Sequence, residues 1–229
     1  MKINHFNIKK IFFKVSNIEI INEWLPLLFL TFLISSCRTF ILEPRYIPSG
    51  SMLPELQIND RILIEKFSIK NREFKRGDIV VFNSPFSFDK KLIKFRSKPL
   101  PNKGYCFLMS LPPMSIIPGL GDRACDAYIK RIVALSGEVV SVNQFGEVII
   151  NQNKINEPYL IKKCDNSLFD ECGQFSDLKV PKDHYLVLGD NRENSWDGRY
   201  WPGGKFLHKD EIIGKAYFRF WPIGNSGFF

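Results

Sequence analysis

Short apolar runs separated by turn residues recur along the chain from residue 61 onwards. The runs are rich in β-branched and aromatic residues, and Gly, Asn, Asp and Pro lie between them. Strands at this spacing, without long stretches of helical period, are typical of an all-β and mainly antiparallel domain. We therefore predict a mainly β fold with strands over residues 61–64, 78–82, 128–135, 138–142, 147–150, 184–188 and 211–220.

Two segments depart from this simple series of strands. Polar residues at 151–153 predict a hairpin, within a smaller β subdomain that we place at about 141–185. Residues 84–126 form an insertion that holds prolines, a basic run and an apolar stretch. A loop this long is uncommon unless it is functional or mobile, so it suits either a flap that contacts a membrane or partner, or a simple insertion.

An uncharged apolar run, WLPLLFLTFLISSC from Trp24 to Cys37, precedes the strands. With its apolar neighbours, this run predicts one transmembrane helix over residues 24–42. Lysines dominate the charge before it, so the positive-inside rule places residues 1–23 in the cytoplasm and residues 43–229 outside. Two alternatives stay open: a cleaved secretory signal and, because ISSC ends the run, a lipoprotein signal with Cys37 lipidated.

The net charge of +8 is only partly carried by the region beyond the predicted span. Five of the 32 basic and two of the 24 acidic residues precede residue 43, which leaves +5 for the remainder. We find no basic stripe of the kind that binds nucleic acid, and we predict no nucleic-acid partner.

The polar turn Pro48-Ser49-Gly50-Ser51-Met52-Leu53-Pro54 presents a candidate nucleophile, Ser51. Its two prolines fix φ, and Gly50 permits a sharp turn with close approach of another backbone. A serine is a nucleophile only when a base activates it. The alternative is an ordinary surface turn, because Pro, Ser and Gly are the usual turn residues.

Histidine offers little support as that base. His5 precedes the predicted span, His208 lies in a charged run, and His184 occupies a turn that enters a strand. A Ser-His-Asp triad is therefore disfavoured.

Lys130 is the other candidate base, and it interrupts an apolar β run. Alternation puts Lys130 on the face of Tyr128 and Ile132, opposite Ile129 and Arg131. A lysine on a buried face has a lowered pKa, so its neutral form can accept a proton. The alternative is a lysine on an edge strand that deters aggregation.

Four stretches of the chain stand out together: IPSGSMLP at 47–54, RGDIVVF at 76–82, YIKRIVALSGE at 128–138 and GDNRENSWDGRYW at 189–201. As a set they resemble the ordered sequence boxes of bacterial type I signal peptidases. They occur in the family's order and behind a membrane segment, over most of the chain from residue 38 to about 214. The chain departs from the usual pattern at Arg45-Tyr46, Ser136 and Pro202-Gly203-Gly204. None of these departures replaces Ser51 or Lys130.

The resemblance implies a Ser-Lys dyad. Ser51 would attack the scissile carbonyl, while Lys130 would act first as general base and then as the acid that protonates the leaving amine. The Ser51 backbone N–H and the Ser49 hydroxyl would form the oxyanion hole.

The resemblance also implies supporting roles around the dyad. Ser195 would hold the Lys130 ammonium in place, and Asp197 and Arg199 would form a structural ion pair under the site. Shallow pockets for the small side chains of an A-x-A-type cleavage motif would be shaped by Ile47, Met52, Leu56, Tyr128 and Ile129.

The remaining cysteines follow the predicted span, in a compartment that permits disulfides. Pairing by proximity joins Cys164 to Cys172 and Cys106 to Cys125, one of three possible connectivities. The first bridge is distant in sequence from both dyad boxes, so its loss is expected to cost stability rather than activity. The chain has no C-x-x-C and no His/Cys cluster, and we predict no metal and no cofactor.

The sequence therefore predicts a membrane-anchored serine endopeptidase that removes signal peptides from exported preproteins. Its partners would be those signal peptides and membrane lipid, and it would act as a monomer. The expected location is the bacterial plasma membrane, with the catalytic domain on the periplasmic face. Two alternatives are a conjugation-type peptidase with one dedicated substrate and a catalytically silent β scaffold. A third, a self-cleaving Ser-Lys repressor protease, does not fit, because the chain has a predicted span and lacks a DNA-binding domain.

Overall fold

The computed structural model describes residues 24–27, 29–31, 33, 41–67, 74–94, 104–105, 127–160, 164 and 171–229. The chain divides into two units, Met1–Leu42 and Glu43–Phe229. In the first unit, residues 24–27, 29–31 and 33 are helical and their side chains are exposed. The predicted cytoplasmic segment 1–23 lies outside the described residues, as do parts of the predicted 24–42 span. Among the residues that are described, no helix is both long enough and apolar enough to cross a membrane.

The second unit is built on an eight-stranded sheet, in the order β1-β2-β11-β3-β4-β9-β10 with β12 paired to β11. Neighbouring strands from β2 to β10 pair antiparallel, as do β11 and β12. Its strands are β1 Leu42–Tyr46, β2 Arg61–Glu65, β3 Ile79–Asn83, β4 Ala127–Ala134, β9 His184–Leu188, β10 Leu207–His208, β11 Ile212–Trp221 and β12 Gly227–Phe228. The predicted mainly antiparallel β fold is confirmed.

A smaller antiparallel sheet holds four strands in the order β7-β6-β5-β8. These are β5 Val139–Val142, β6 Val148–Ile150, β7 Asn153–Lys154 and β8 Phe175–Lys179. The small sheet therefore begins and ends slightly before the range that the sequence predicted for a β subdomain, because residues 184–188 belong to the large sheet.

Two short helices, α1 Pro85–Phe88 and α2 Lys90–Lys94, open the predicted 84–126 insertion. Asp89 joins them to the chain near residue 203, because its carboxylate accepts the backbone N–H groups of Lys91, Leu92 and Gly203. Most of the remaining insertion, including Cys106 and Cys125, lies outside the described residues. Among the described residues of this unit, four 3-10 helices are also present: Glu171–Gly173, Arg192–Asn194, Lys209–Glu211 and Ile223–Asn225.

The apolar core lies on both faces of the large sheet. One buried cluster packs Ile132 against Val80 and Phe82, with Tyr128 beside it. The opposite cluster contains Ile47, Met52, Leu56, Ile62 and Ile64, with Ile129 beside it. These two clusters confirm the alternation predicted for β4. A third cluster, which includes Val133, Leu186, Val140 and Val148, joins the small sheet to the large one.

Candidate active site

Ser51 lies in a tight turn between β1 and β2. The loop is closed at its base by hydrogen bonds between the backbones of Ile47 and Asp60 (2.9 Å) and of Asn59 and Ile47 (2.9 Å). Within it, the N–H of Leu53 donates to the carbonyl of Gly50 over 3.2 Å. The closed loop leaves Ser51 only 8 % exposed.

Lys130 lies in the middle of β4 and is 3 % exposed. Its Nζ atom is 2.8 Å from Ser51 Oγ and 2.8 Å from the carbonyl oxygen of Ile129. The Tyr128 ring lies 6.0 Å from the same nitrogen. The structure therefore brings together the two residues that the sequence singled out as nucleophile and base. Because β3 and β9 flank β4, Lys130 is not on an edge strand.

The surroundings of Lys130 favour its neutral form. Burial lowers its pKa from 10.5 to about 8, although the carboxylates of Asp197 and Asp190 raise it. The Arg199 guanidinium acts in the same direction as burial. With a pKa of about 8, about one Lys130 side chain in ten is neutral at pH 7, and the neutral amine can accept the Ser51 proton.

Asp197 is the buried centre of a hydrogen-bonded group beside this pair. Its Oδ2 atom accepts the Ser195 hydroxyl over 2.8 Å and the Gly189 backbone N–H over 3.0 Å. Arg199 closes a bidentate ion pair with it, Nε to Oδ1 over 2.8 Å and Nη2 to Oδ2 over 2.9 Å. Burial opposes the charge of Asp197, but these partners, Arg199 foremost, hold its pKa below its usual value.

Ser195 lies next to this ion pair. Its hydroxyl donates to Asp197, whereas the hydrogen bonds of Lys130 Nζ among described residues go to Ser51 and Ile129. A carboxylate is a stronger acceptor than a neutral oxygen, and this directs the Ser195 hydroxyl proton to Asp197. The Ser195 oxygen keeps lone pairs that can accept a hydrogen bond, so its implied role beside the Lys130 ammonium stays a prediction.

Sequence reasoning did not single out Asn191, which holds the Ser51 turn in place. Its backbone N–H donates to the Ser51 carbonyl and its side-chain Nδ2 to the Gly50 carbonyl, both over 3.1 Å. Gly189 allows this approach, because a Cβ there would lie 2.2 Å from Ser195 Oγ and 2.5 Å from Ser51 O. Both residues fall in the box at 189–201, but the sequence does not show that this box packs on the turn.

The five residues predicted to line substrate pockets divide into two sets. Ile47, Met52 and Leu56 are at most 2 % exposed and pack in the apolar core beneath the turn. The turn folds back onto β2 and β3, so the apolar side chains of this first set are buried beneath it. Tyr128 and Ile129 keep exposed surface, and Ser49 is exposed on the turn.

An aromatic surface extends from Tyr128 and was missed in the sequence. Trp196 contacts Tyr128 with ring centroids 6.1 Å apart and stacks on Phe86 at 5.9 Å. Trp196 is 36 % exposed, so this surface is accessible beside Lys130. Phe86 belongs to α1, which places the start of the insertion next to the site.

A charged layer lies on the face of β4 away from Lys130. Arg131 forms a bidentate pair with Asp190, with Nε to Oδ1 at 2.8 Å and Nη2 to Oδ2 at 2.6 Å. Buried Arg192 pairs with Glu157 and donates to the Gly146 carbonyl, which ties the 189–201 segment to the small sheet. The ring of Tyr159 lies 4.2 Å from the Arg131 guanidinium.

The two described histidines lie away from the serine–lysine pair. His184 and His208 face each other across β9 and β10, with ring centroids 4.8 Å apart. Their hydrogen bonds join His184 Nδ1 to the Lys182 carbonyl and His208 Nδ1 to the Asp210 N–H.

Cys164 and Cys172 form a disulfide, with Cα atoms 6.1 Å apart, as predicted from their spacing. The second predicted bridge lies outside the described residues. Within the part of the chain that the structure describes, no group of three or more His, Cys, Asp or Glu residues could hold a metal ion.

The chain is similar over most of its length to known proteins of one family. The family model described as "Signal peptidase, peptidase S26" matches residues 21–221. The chain is 38 % identical over 190 residues to a probable signal peptidase I-2 of Synechocystis, covering 83 % of this chain and 68 % of that protein. It is 36 % identical over 190 residues to signal peptidase I of Leptolyngbya laminosa, covering 83 % of this chain and 74 % of the relative.

A more distant relative matches over nearly its whole length. Signal peptidase I P of Bacillus subtilis subsp. natto is 31 % identical over 214 residues, and the match covers 92 % of both chains. Among solved structures, a signal peptidase I from Enterococcus faecalis is 24 % identical, with a TM-score of 0.38 over 62 % of this chain and 96 % of that one.

Proposed function

Because this chain belongs to the signal peptidase family, peptidase S26, we propose that it removes N-terminal signal peptides from exported preproteins with a Ser51–Lys130 dyad. Its relatives in Synechocystis, Leptolyngbya and Bacillus carry the name of signal peptidase I. The chain is therefore a hydrolase that acts on peptide bonds. Our proposal concerns which peptide bond it cleaves and which residues carry out the cleavage.

One observation carries the mechanism: the buried Lys130 Nζ lies 2.8 Å from Ser51 Oγ. At this distance the neutral amine can take the hydroxyl proton as Ser51 Oγ attacks the scissile carbonyl carbon. The C–N bond then breaks, the Lys130 ammonium returns its proton to the leaving amine, and the signal peptide stays bound to Ser51 as an ester. Water, deprotonated by Lys130, cleaves the ester and restores both side chains.

The negative charge that develops on the carbonyl oxygen requires hydrogen-bond donors. We assign this role to the backbone N–H of Ser51 and the hydroxyl of Ser49. The exposed position of Ser49, two residues before Ser51 in the same turn, supports the assignment. A donor of this kind contributes roughly 3–4 kcal/mol of transition-state stabilisation.

The substrate surface that we propose lies beside the dyad and is formed by the exposed parts of Tyr128 and Ile129. The core residues Ile47, Met52 and Leu56 would support the floor of this surface rather than contact a side chain of the substrate. A shallow floor suits the small residues of an A-x-A-type cleavage motif, because large side chains would have no cavity to enter.

A membrane location completes the proposal. The uncharged run from Trp24 to Cys37, with lysines before it, supports one span with the amino terminus inside. The catalytic unit would then lie outside the bacterial plasma membrane, where signal peptides emerge. Membrane lipid and the signal peptides of preproteins would be its partners, and it would act as a monomer.

Cleavage of a preprotein with an A-x-A-type site by the purified full chain tests the proposal. The wild type should release the mature protein, and Ser51→Ala should release none while keeping the β-sheet circular dichroism spectrum. Ser226→Ala is the matched control, because the Ser226 hydroxyl is exposed and bonds only locally to the Ile223 carbonyl. Substantial turnover by Ser51→Ala would show that another group attacks the substrate, and a silent wild type would favour a scaffold.

A further inference from the structure

We propose that the Cys164–Cys172 cystine is a positioning element of the active site, which holds Arg199 in its ion pair with Asp197. The inference rests on the proposed function, since it concerns the rate of the dyad. It departs from the expectation that this bridge contributes only stability, which was based on its separation from the dyad boxes in sequence.

The cystine lies directly against Arg199. Arg199 Nη1 donates to the Cys172 carbonyl over 3.0 Å and lies 3.4 Å from the Cys172 sulfur and 4.0 Å from the Cys164 sulfur. The other two guanidinium nitrogens, Nε and Nη2, bind Asp197, and Nη2 also donates to the Arg192 carbonyl over 2.8 Å. The planar guanidinium therefore has the cystine on one side and the carboxylate on the other, so a shift at the cystine changes the geometry of the ion pair.

The packing around the cystine leaves little room for adjustment. Cys164 is fixed by its backbone N–H, which donates to the Phe145 carbonyl over 3.1 Å. A Cβ at Gly146 would lie 3.3 Å from both sulfur atoms, and a Cβ at Gly173 would lie 2.6 Å from Arg199 Cβ. Two glycines with positive φ, Gly146 and Gly173, thus allow the backbone to pack closely against the cystine and Arg199.

Asp197 transmits this contact to the dyad. It binds Ser195 and Gly189, and a Cβ at Gly189 would lie 2.5 Å from the Ser51 carbonyl oxygen. The charged groups that act on Lys130 are Asp197 and Asp190, which raise its pKa against the effect of burial, and Arg199, which lowers it. If Arg199 moves away, the Asp197 carboxylate is less neutralised and stabilises the Lys130 ammonium more strongly. Less neutral amine is then present at a given pH.

The test is the pH dependence of kcat/KM for cleavage of a preprotein by the full chain, in wild type and in the double variant Cys164→Ser/Cys172→Ser. The ascending limb of the variant should move to higher pH by about half a unit or more, with a loss of about threefold or more at pH 7. Wild type treated with dithiothreitol, which is oxidised to its cyclic disulfide as the cystine becomes two thiols, should show the same shift. The reductant should not change the double variant further, which controls for the other cysteines.

Val142→Ala is the matched control for lost stability. Val142 is buried in the small sheet, and its truncation lowers the unfolding temperature without touching Arg199. This control should show the same ascending limb of kcat/KM against pH as the wild type. Both variants are assayed well below their unfolding temperatures. Any one of three results would overturn the inference. The ascending limb of the pH profile could stay unmoved in the folded double variant, or Val142→Ala could show an equal shift. The third result is unfolding of both the double variant and the reduced wild type. Failure of Ser51→Ala to abolish cleavage would instead overturn the proposed function.

Discussion

Lys130 Nζ lies 2.8 Å from Ser51 Oγ, although 79 positions separate the two residues in the chain. β4 carries the lysine, and a turn between β1 and β2 carries the serine. Asn191, from a third stretch, binds the turn through two hydrogen bonds to the Gly50 and Ser51 carbonyls. The contact between amine and hydroxyl therefore depends on three separate stretches of chain meeting at one place.

Activity should rise with pH through an ionisation near 8, because burial lowers the pKa of Lys130 to about 8 and only its neutral form accepts a proton. Below that value kcat/KM should fall by about tenfold per pH unit, and above about pH 9 it should be level. The measurement is kcat/KM against pH on a preprotein substrate. His184→Ala and His208→Ala should keep the same pH profile. If the wild-type profile instead rises near pH 6.5, and either substitution removes that rise, then a histidine is the base.

Ser49→Ala should slow cleavage by about one to three orders of magnitude without abolishing it, since the Ser51 backbone N–H remains as a donor. The loss should fall on kcat rather than on KM, because the hydroxyl would bind the oxyanion more strongly than the ground-state carbonyl. Steady-state kinetics on a preprotein separates the two. A loss as complete as that in Ser51→Ala would mean that the roles of the two serines are wrongly assigned.

Asp197→Ala should lower the free energy of unfolding by about 3–5 kcal/mol, because it leaves the buried Arg199 guanidinium without its carboxylate. Denaturant unfolding measures this loss. Asp197→Ala/Arg199→Met should recover part of it, since no uncompensated charge remains buried. The matched control is Asp183→Ala, which removes the more exposed pair with Lys209 and should lose much less. Equal losses in the two single variants would contradict a special role for the buried pair.

The main strands could be predicted because their apolar residues occur in short runs separated by turn residues. Each of the seven predicted runs overlaps a strand of the structure. The missed strands carry weak signals: β10 and β12 have two residues each, Pro44 interrupts β1, and β8 contains polar residues. The sequence pattern of these four segments does not distinguish them from loops.

The candidate site shows where sequence reasoning stops. Alternation along β4 placed Lys130 on the correct face, and the quoted boxes identified Ser51. Alternation cannot show what lies across from a side chain, so the pairs of Arg131 with Asp190 and of Arg192 with Glu157, 59 and 35 positions apart, were not foreseen. The burial of Met52 and Leu56 was missed for the same reason, because it depends on how the turn folds back onto the sheet.

The central claim is that neutral Lys130 activates Ser51, and the rate of preprotein cleavage by Lys130→Arg tests it most directly. A guanidinium keeps the positive charge but cannot be deprotonated in a protein, so it cannot act as the base. We predict that the rate of cleavage falls by about 10²- to 10⁴-fold or more at every pH at which the variant is folded. Lys215→Arg, at the partly exposed ion pair with Asp78, should cleave at the wild-type rate. Near-normal turnover by folded Lys130→Arg would contradict the account.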